Sequence, residues 1–552
     1  MGRVKKTFRS VKKTYQRILI WLRQKKYFFY FRNATVPRLR RQLLMQAGGD
    51  INTSWKGMKV LLPIMETTHY QHQHILGLGK ILQLRGATVA VLVCDESLPG
   101  CEIKSVKNFE DRDPCRSCRF HRETSLPIYD FIVYKPTDWI SEEERREILA
   151  QDFAYTGQKA LIFKGIDVLN SAMESVTRFF YGETWCDKDE QRAQLQNHVA
   201  TAKIMGTVAK NLMSTWKPDI VINNMSVYST WEPIYEIARL LGIRFHQISL
   251  QPYDFKTVLI DSWRLYESTE RFFEYQSTRT DMCLSDDESK RLDQFIKQRK
   301  GGESDLARKE GYFRSTSLEI AAKALRYDET KRNIFMFSNI HWDVGIADFE
   351  SLFPSVLEWC LETVEMLRNA PGIHLYLKPH PAEFYDGAPS LKGVSQILRE
   401  TIVPLPENLT IIEPTLRLNT YELFPMIDLG VIFNGTLGLE MLLHGIPVVS
   451  TGRTTYSGLG FASEPGSISE YEALLLGRHK PAGIEVSKVR EYAYFYFLRT
   501  NLPWRLTEQA YGDSFDGFAF ESVSDVAARG DPYLEQLCAY LLNPKTVSID
   551  AW

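Results

Sequence analysis

The sequence predicts an α/β protein with two doubly wound parallel-sheet domains facing a cleft, a basic helical arm before them and helices after them. Three observations predict it. Apolar strand-like runs alternate with helical stretches in two series, one between residues 58 and 265 and one from Asn333 onward. A polar, charge-rich segment containing Lys300-Gly301-Gly302 separates the series. Polar turns follow the strands of the second series, and open α/β sheets bind ligands beyond the carboxyl ends of their strands.

Residues 1–50 form a basic amphipathic arm. Fourteen Lys and Arg, and no acid, fall between Met1 and Arg41. Val4, Phe8, Val11, Tyr15, Ile18 and Leu22 recur at spacings of four and three, which lines one side of a helix, and Tyr27 to Phe31 adds an aromatic cluster. This pattern predicts attachment to an anionic membrane surface. The alternative is a helix docked on the protein's own body with a solvated basic face. Every apolar run near the N-terminus is cut by Arg or Lys, and no stretch approaches the roughly 20 apolar residues of a spanning helix. The expectation is therefore a cytoplasmic protein, peripheral on the inner face of a membrane.

The first Rossmann-like domain, residues 51–265, opens with the apolar run Met58–Met65, a helix over about 74–84 closed by Gly86, and the buried strand Ala87–Cys94. Further strands are expected at Phe131–Tyr134, Ala160–Phe163, Ile220–Asn223 and Arg244–Leu250, with helices over about 198–216 and 229–241. Residues 266–330 read as a helical linker or insertion. The second Rossmann-like domain, residues 331–485, has strands at Ile334–Ser338, His374–Lys378, Leu409–Ile412, Leu429–Phe433 and Val448–Ser450. Residues 486–552 are helical again. The chain of 552 residues is 44% hydrophobic and 24% charged, enough to bury sizeable cores, and its net charge of −1 gives no reason to invoke nucleic acid.

The strongest chemical signal is Leu429 to Gly452, LGVIFNGTLGLEMLLHGIPVVSTG. A buried strand runs into Asn434-Gly435-Thr436, and a helix follows, ending at Gly445. Asn434 or Thr436 can cap that helix, and its free N–H groups and dipole suit a phosphate. Glu440, four residues past Thr436, can face the same side and accept from ribose hydroxyls. The competing account is an ordinary capped helix with an exposed Glu. The second signal, Lys378-Pro-His-Pro-Ala-Glu383, follows the strand HLYLK. His380, held between Pro379 and Pro381, has little backbone freedom and can hydrogen-bond or protonate a leaving phosphate. The third is the loop Phe337 to Asp343, where Ser338 and Asn339 can contact phosphate and Trp342 can stack on a base or sugar.

These residues resemble bacterial capsule polysaccharide biosynthesis glycosyltransferases, in particular the group that includes the capsular Kdo transferases. The KPHPAE turn and NGTLGLEMLLHGIPVVSTGRTTYSGLGF carry the likeness in the second domain; Trp216-Lys-Pro-Asp219, Asn223-Asn224 and Trp231-Glu-Pro233 carry it in the first. The resemblance covers roughly residues 58–265 and 333–470. It implies a GT-B fold and transfer of a sugar from a nucleotide-activated donor to a polysaccharide or glycolipid acceptor, without a catalytic cofactor. It implies phosphate contacts from His380, Pro381, Asn434, Gly435 and Thr436, and a nucleoside contact from Glu440. Ser338, Asn339, Asp343 and Arg453 complete the expected donor set. The His-Pro pair with its downstream Ser/Thr turn is also similar to bacterial sialyltransferases, which tilts the donor toward a CMP-sugar such as CMP-Kdo. Sugar 2-epimerases share the fold, so a nucleotide-sugar isomerase or hydrolase is the second reading, and a non-catalytic assembly or export partner the third.

On the acceptor side, Glu66 to His74 follows the first strand. Glu66 or His69 can deprotonate an acceptor hydroxyl, and His72 joins the acceptor contacts. Finally, Cys94, Cys101, Cys115 and Cys118 lie within 25 residues and end in C-x2-C, a spacing that fits a closed structural zinc site.

Overall fold

The structure is a computed structural model. It describes residues 31–44, 53–65, 69–102, 113–180, 189–250, 257–260, 265–277, 279, 283–300, 317–342, 351–384, 390, 392–413, 416, 418–499, 501–504, 506, 518, 520, 522, 526–527 and 531–543. Among them no helix is long and apolar enough to cross a membrane.

The first domain begins with helix α1 (Val36–Leu44) and then alternates: β1 (Lys59–Ile64), α2 (His69–Leu84), β2 (Thr88–Val93), α3 (Arg116–Thr124), β3 (Ile132–Tyr134) and α4 (Glu142–Leu149). A hairpin of β4 (Ile162–Phe163) and β5 (Ile166–Asp167) leads to α5 (Leu169–Phe180) and α6 (Asp189–Trp216). Then come β6 (Ile220–Asn223), α7 (Glu232–Leu240), β7 (Arg244–Leu250) and β8 (Thr257–Ile260). Strands β7-β6-β1-β2-β3 pair in parallel in that order. Sequence order reverses between β1 and β6, so the switch point of this sheet lies at their carboxyl ends. Both faces are covered, which is why the strands read as unbroken apolar runs. Val60, Leu62, Val89 and Val91 meet α1 and α2 on one face, and Leu61, Ala90 and Leu92 meet α6 and α7 on the other.

Three helices follow: α8 (Leu265–Ser277), α9 (Asp286–Lys300) and α10 (Leu318–Leu325). Phe272, Leu292, Ala321 and Leu325 bury their side chains in the core of the second sheet. That sheet is assembled from β9 (Arg332–Phe337), α11 (Val356–Leu367), β10 (Ile373–Lys378), α12 (Val394–Thr401), β11 (Leu409–Ile411), β12 (Leu429–Ile432), α13 (Thr436–Leu443), β13 (Val448–Ser450) and α14 (Ile468–Leu475). Its strand order is β11-β10-β9-β12-β13, all parallel, and its switch point falls between β9 and β12. The chain closes with α15 (Val486–Tyr494), β14 (Asn501–Pro503) and α16 (Pro532–Leu542). Helix α15 packs on the second core, whereas α16 returns to the first. Two parallel sheets with helices on both faces are the architecture the sequence predicts.

Three expectations change. Ala160–Phe163 does not join the first sheet. Lys164 and Gly165 both take positive φ, 51° and 94°, and the tight turn they form folds β4 back on β5 as an antiparallel hairpin. The first sheet also gains an antiparallel edge that the sequence does not announce, because β8 pairs with β7, and β14, from the far end of the chain, pairs with β8. In the basic arm, α1 docks on the body: Leu39 and Leu43 are buried in the first core, and Gln42 donates to the carbonyls of Phe518 and Phe520 at 2.7 and 2.6 Å. The preceding basic stretch, residues 1–30, lies outside the described residues.

Candidate functional site

Register places the second domain's polar turns side by side. Phe337 on β9 is the partner of Lys378 on β10 and of Ile432 on β12. The segments that follow, Ser338-Asn339, Pro379-His380-Pro381 and Asn434-Gly435-Thr436, therefore leave three adjacent strands at one level. With strands about 4.8 Å apart, the outer two turns stand about 10 Å from each other, within the span of one nucleotide. Asn339 Nδ2 donates to Asn434 Oδ1 at 2.7 Å and ties the β9 turn to the β12 turn at the switch point.

Asn434 does not cap the helix. The N-cap of α13 is Gly435, which has φ +110° and makes no side-chain cap bond. Only glycine adopts that φ freely, and a Cβ there would meet nothing nearer than Asn339 Nδ2 at 3.9 Å, so space lies open in front of the helix. Helices α4, α10, α11 and α14 are all capped by a serine hydroxyl, from Ser141, Ser317, Ser355 and Ser467. Helix α13 presents its first amides without such a cap, at the positive end of its dipole. Beside it, Ser338 is 5% exposed and its hydroxyl is buried without a hydrogen-bond partner among the described residues. A buried hydroxyl left unpaired is uncommon and marks a group held for something else.

His380 keeps one side open to solvent while protein crowds the other. That crowding, reinforced by the Lys378 charge, depresses its imidazole toward about 4. The ring is therefore neutral near pH 7 and offers a phosphate an N–H donor rather than a stored proton. Glu383 fixes the turn from below. It is buried, and its two oxygens meet His341 Nδ1 at 3.2 Å and the Val394 N–H at the start of α12 at 3.0 Å. Pro381 opens the short 3-10 turn that ends at Phe384.

Trp342 does not stand free for stacking on a base. It is 3% exposed, and its indole N–H donates to Ser390 Oγ at 2.7 Å. The Arg178 guanidinium, from the end of α5 in the first domain, sits 4.9 Å from its ring centre, so this residue joins the two domains. Glu440 is also engaged. Its carboxylate pairs with Arg299 of α9 at 2.6 Å and accepts the Tyr421 hydroxyl, and it is 6% exposed. The sequence gives Glu440 a ribose contact, with an exposed Glu as the competing account; in the structure it is a buried ion-pair partner fastening α9 to α13. Arg453 follows β13, part-buried, on the strand next to β12. Asp343 lies outside the described residues.

Glu66 also lies outside them, and His69 and His72 fall in the first turns of α2, where the structure describes the backbone alone. Their neighbour His74 is structural: it is 6% exposed, accepts from Trp504 Nε1 at 2.6 Å, and burial pushes its imidazole down to about 3.

The sequence expects Cys94, Cys101, Cys115 and Cys118 to hold a structural zinc. Among the described residues no disulfide joins them, and no group of three or more His, Cys, Asp or Glu is arranged to hold a metal. The Cys94 thiol lies near both Cys118 and Cys115. Arg119 and Arg122 of α3 pair with Glu96, and Arg122 donates to the Cys94 carbonyl, which brings Cys118 beside Cys94. Next to Cys101, however, Glu102 is buried among α5 and the loop before α7, taking hydrogen bonds from Ser175 at 3.2 Å and Thr230 at 2.7 Å. Burial raises the Cys94 thiol to about 12, so it stays protonated.

Lys378, which the sequence did not mark as functional, closes β10 where one of the outer turns begins; the signal available was a lone cation ending an apolar strand.

No family model matches the chain, and no curated protein matches it. Several solved structures resemble it in part. KpsC of Thermosulfurimonas dismutans, a β-Kdo 2,4 transferase, is 13% identical over 50% of this chain and 79% of that one, with a TM-score of 0.32. The UDP-GlcNAc 2-epimerase of Neisseria meningitidis is 13% identical over 80% and 98%, at 0.28, and MurG of Acinetobacter baumannii is 11% identical over 80% and 94%, at 0.24. Likeness at this level leaves activity undecided.

Proposed function

We propose that this chain is a glycosyltransferase of GT-B architecture that holds a nucleotide-activated sugar at the switch point of its second sheet. One observation carries the reading: the uncapped N-terminus of α13 and the buried, unpartnered Ser338 hydroxyl stand at the ends of adjacent strands. Amides at a helix start and an unused buried hydroxyl are the groups a phosphate takes. When the sugar–phosphate bond breaks, negative charge grows on the leaving phosphate, and donors already aimed there stabilise the transition state more than the ground state. Asn434, Gly435 and Thr436 supply the β12 turn, Ser338 and Asn339 the β9 turn, and His380 an N–H from the β10 turn. Arg453 and Asp343 belong to the same donor set, and Glu440 acts from behind it as the partner of Arg299.

The finer assignment is a CMP-sugar such as CMP-Kdo, and a polysaccharide or glycolipid acceptor approaching from the first domain past Glu66, His69 and His72. The basic residues before α1 keep the protein on anionic lipid at the inner face of a bacterial membrane in this reading.

A thermal-shift panel of CMP-, UDP-, GDP- and CDP-compounds tests the donor site, because a ligand that binds only the native state raises the melting temperature. A shift with one nucleotide class and its sugar conjugates supports the reading; no shift with any of them ends it. Turnover of a UDP-sugar without an acceptor, yielding the epimer, would instead identify an isomerase.

A further inference from the structure

Lys378 is the last residue of β10, a strand of sequence IHLYLK whose five preceding residues are all buried. It shares a face with Tyr376, two residues earlier, which is fully buried in the core on the side where α13 packs. Lys378 itself is part-buried. Two other lysines of this chain show how a protein oxygen can hold such an ammonium. Lys80 donates to the Tyr129 carbonyl at 3.0 Å and to Gln83 at 2.8 Å, and Lys59 donates to the Trp216 carbonyl at 3.0 Å. Among the described residues Lys378 has no such acceptor and no carboxylate partner. A part-buried cation with no counter-charge is costly to hold, and it persists where a ligand supplies the missing anion.

Its position says which anion. The Lys378 carbonyl accepts from the Ser338 N–H at 3.2 Å, which joins it to the residue whose hydroxyl is left over. Its charge reaches His380, two residues on, and helps keep that ring neutral. The β9, β10 and β12 turns thus provide neutral donors, and Lys378 provides a full positive charge at their root. We infer that Lys378 is the cation that meets the phosphate of the nucleotide donor, a binding residue of the same site. This rests on the donor-site reading given under Proposed function.

The assignment has a signature in protons. Burial holds the Lys378 ammonium down to about 8. A bound phosphate favours the charged form and raises it again. Nucleotide binding therefore takes up a proton at pH 8.5 and very little at pH 7. His380 cannot imitate this, because its own titration lies far below that range.

The experiment is isothermal titration of the full chain with CMP and with UDP at pH 7 and 8.5, in two buffers of different ionisation enthalpy. The wild type is expected to take up a substantial fraction of a proton at pH 8.5. Lys378→Met should bind roughly 10–100-fold more weakly, as loss of a charge-assisted contact does, with the uptake gone. Lys378→Arg should recover much of the affinity without the uptake, since a guanidinium does not titrate there. If Lys378→Met fails to fold, the arginine variant decides alone: uptake that persists in it overturns the assignment. So does a folded Lys378→Met that binds like the wild type. Ser338→Ala separates the two layers. If it weakens nucleotide while Lys378→Met does not, the donor site stands and Lys378 has no part in it. If the wild type binds neither nucleotide, the donor reading fails and Lys378 falls with it.

Discussion

The two sheets end in polar residues at the same topological place, yet the two edges are built differently. At the carboxyl edge of the first sheet several polar side chains are bonded to one another, although Asn223 Oδ1, at the end of β6, has no hydrogen-bond partner among the described residues. Ser249 Oγ donates to the Asn224 carbonyl at 2.9 Å, and Ser226 Oγ donates to Gln247 at 2.5 Å. Thr230 and Ser175 hold Glu102, and Ser229 Oγ meets His198 Nδ1 at 2.8 Å. At the edge of the second sheet the Ser338 hydroxyl, the Lys378 ammonium and the α13 amides lack such partners among the described residues. A network that satisfies itself stabilises a fold, whereas donors left open at a strand edge await a ligand. Composition alone does not separate the two edges; where the hydrogen bonds go does.

The comparison is easiest to break at His380. If the second edge is the reactive one, His380→Ala should lower kcat for donor turnover roughly 10²–10³-fold, the usual effect of losing one preorganised donor to a developing oxyanion, with a smaller change in donor KM. The melting temperature should stay put, because the ring is solvent-accessible and removes no core volume. Near-native kcat would take His380 out of the mechanism and return the site to a passive role.

Glu440 sharpens the contrast from inside the second domain. It lies on the site helix, but its contacts resemble those of the first edge. Glu440→Ala leaves Arg299 part-buried without its carboxylate, and breaking one side of a buried pair costs about 3 kcal/mol. Urea denaturation should show that loss. Nucleotide affinity of the folded protein should change little. A variant of native stability with weak nucleotide binding would restore the ribose contact that the sequence suggested.

The same residue shows what sequence reading reaches. The central strands of both sheets were legible because each is buried on two faces and so reads as one apolar run. The turns after β9, β10 and β12 were legible because a polar cluster ending such a run has few other uses. The ion pair of Glu440 was not legible because its partner lies 141 residues away on α9, beyond any local pattern. Lys378 was missed for a similar reason: a lysine closing a strand looks like a solvated terminus until its surroundings are known. Spacing along the chain brings Cys94, Cys115 and Cys118 to one place but cannot show that Glu102, beside Cys101, is bonded to Ser175 and Thr230. The β8–β14 pairing spans most of the second domain and leaves no local trace.

A matched pair of conservative substitutions compares the edges directly. Thr230→Val removes a donor from the buried Glu102 carboxyl and should cost about 1–3 kcal/mol of stability, with nucleotide binding unchanged. Ser338→Ala removes a hydroxyl that bonds nothing among the described residues, so stability should hold within about 0.5 kcal/mol. Nucleotide affinity should fall roughly 5–10-fold, the worth of about one hydrogen bond. If the two variants exchanged behaviours, the division between a self-satisfied and an open edge would be wrong.

The smallest effect concerns acid. His380 has its imidazole depressed in the folded chain toward about 4, by crowding first and by Lys378 second. In the unfolded chain it titrates near the ordinary 6.5. Between those values the unfolded state binds more protons, so folding stability contributed by this residue is complete above about pH 6.5 and is lost as pH falls toward 4. Solvent on one side of the ring screens the penalty and keeps the slope shallow. His380→Asn removes the titration altogether. Its stability relative to the wild type should therefore improve as pH is lowered from 7 to 5, and urea midpoints for both proteins at those two pH values would show it. Parallel midpoints would mean that His380 titrates as it does in water, with a charged imidazolium available below pH 6.5. Proton donation to the leaving phosphate, rather than a neutral N–H contact, would then be the better account of what this histidine does.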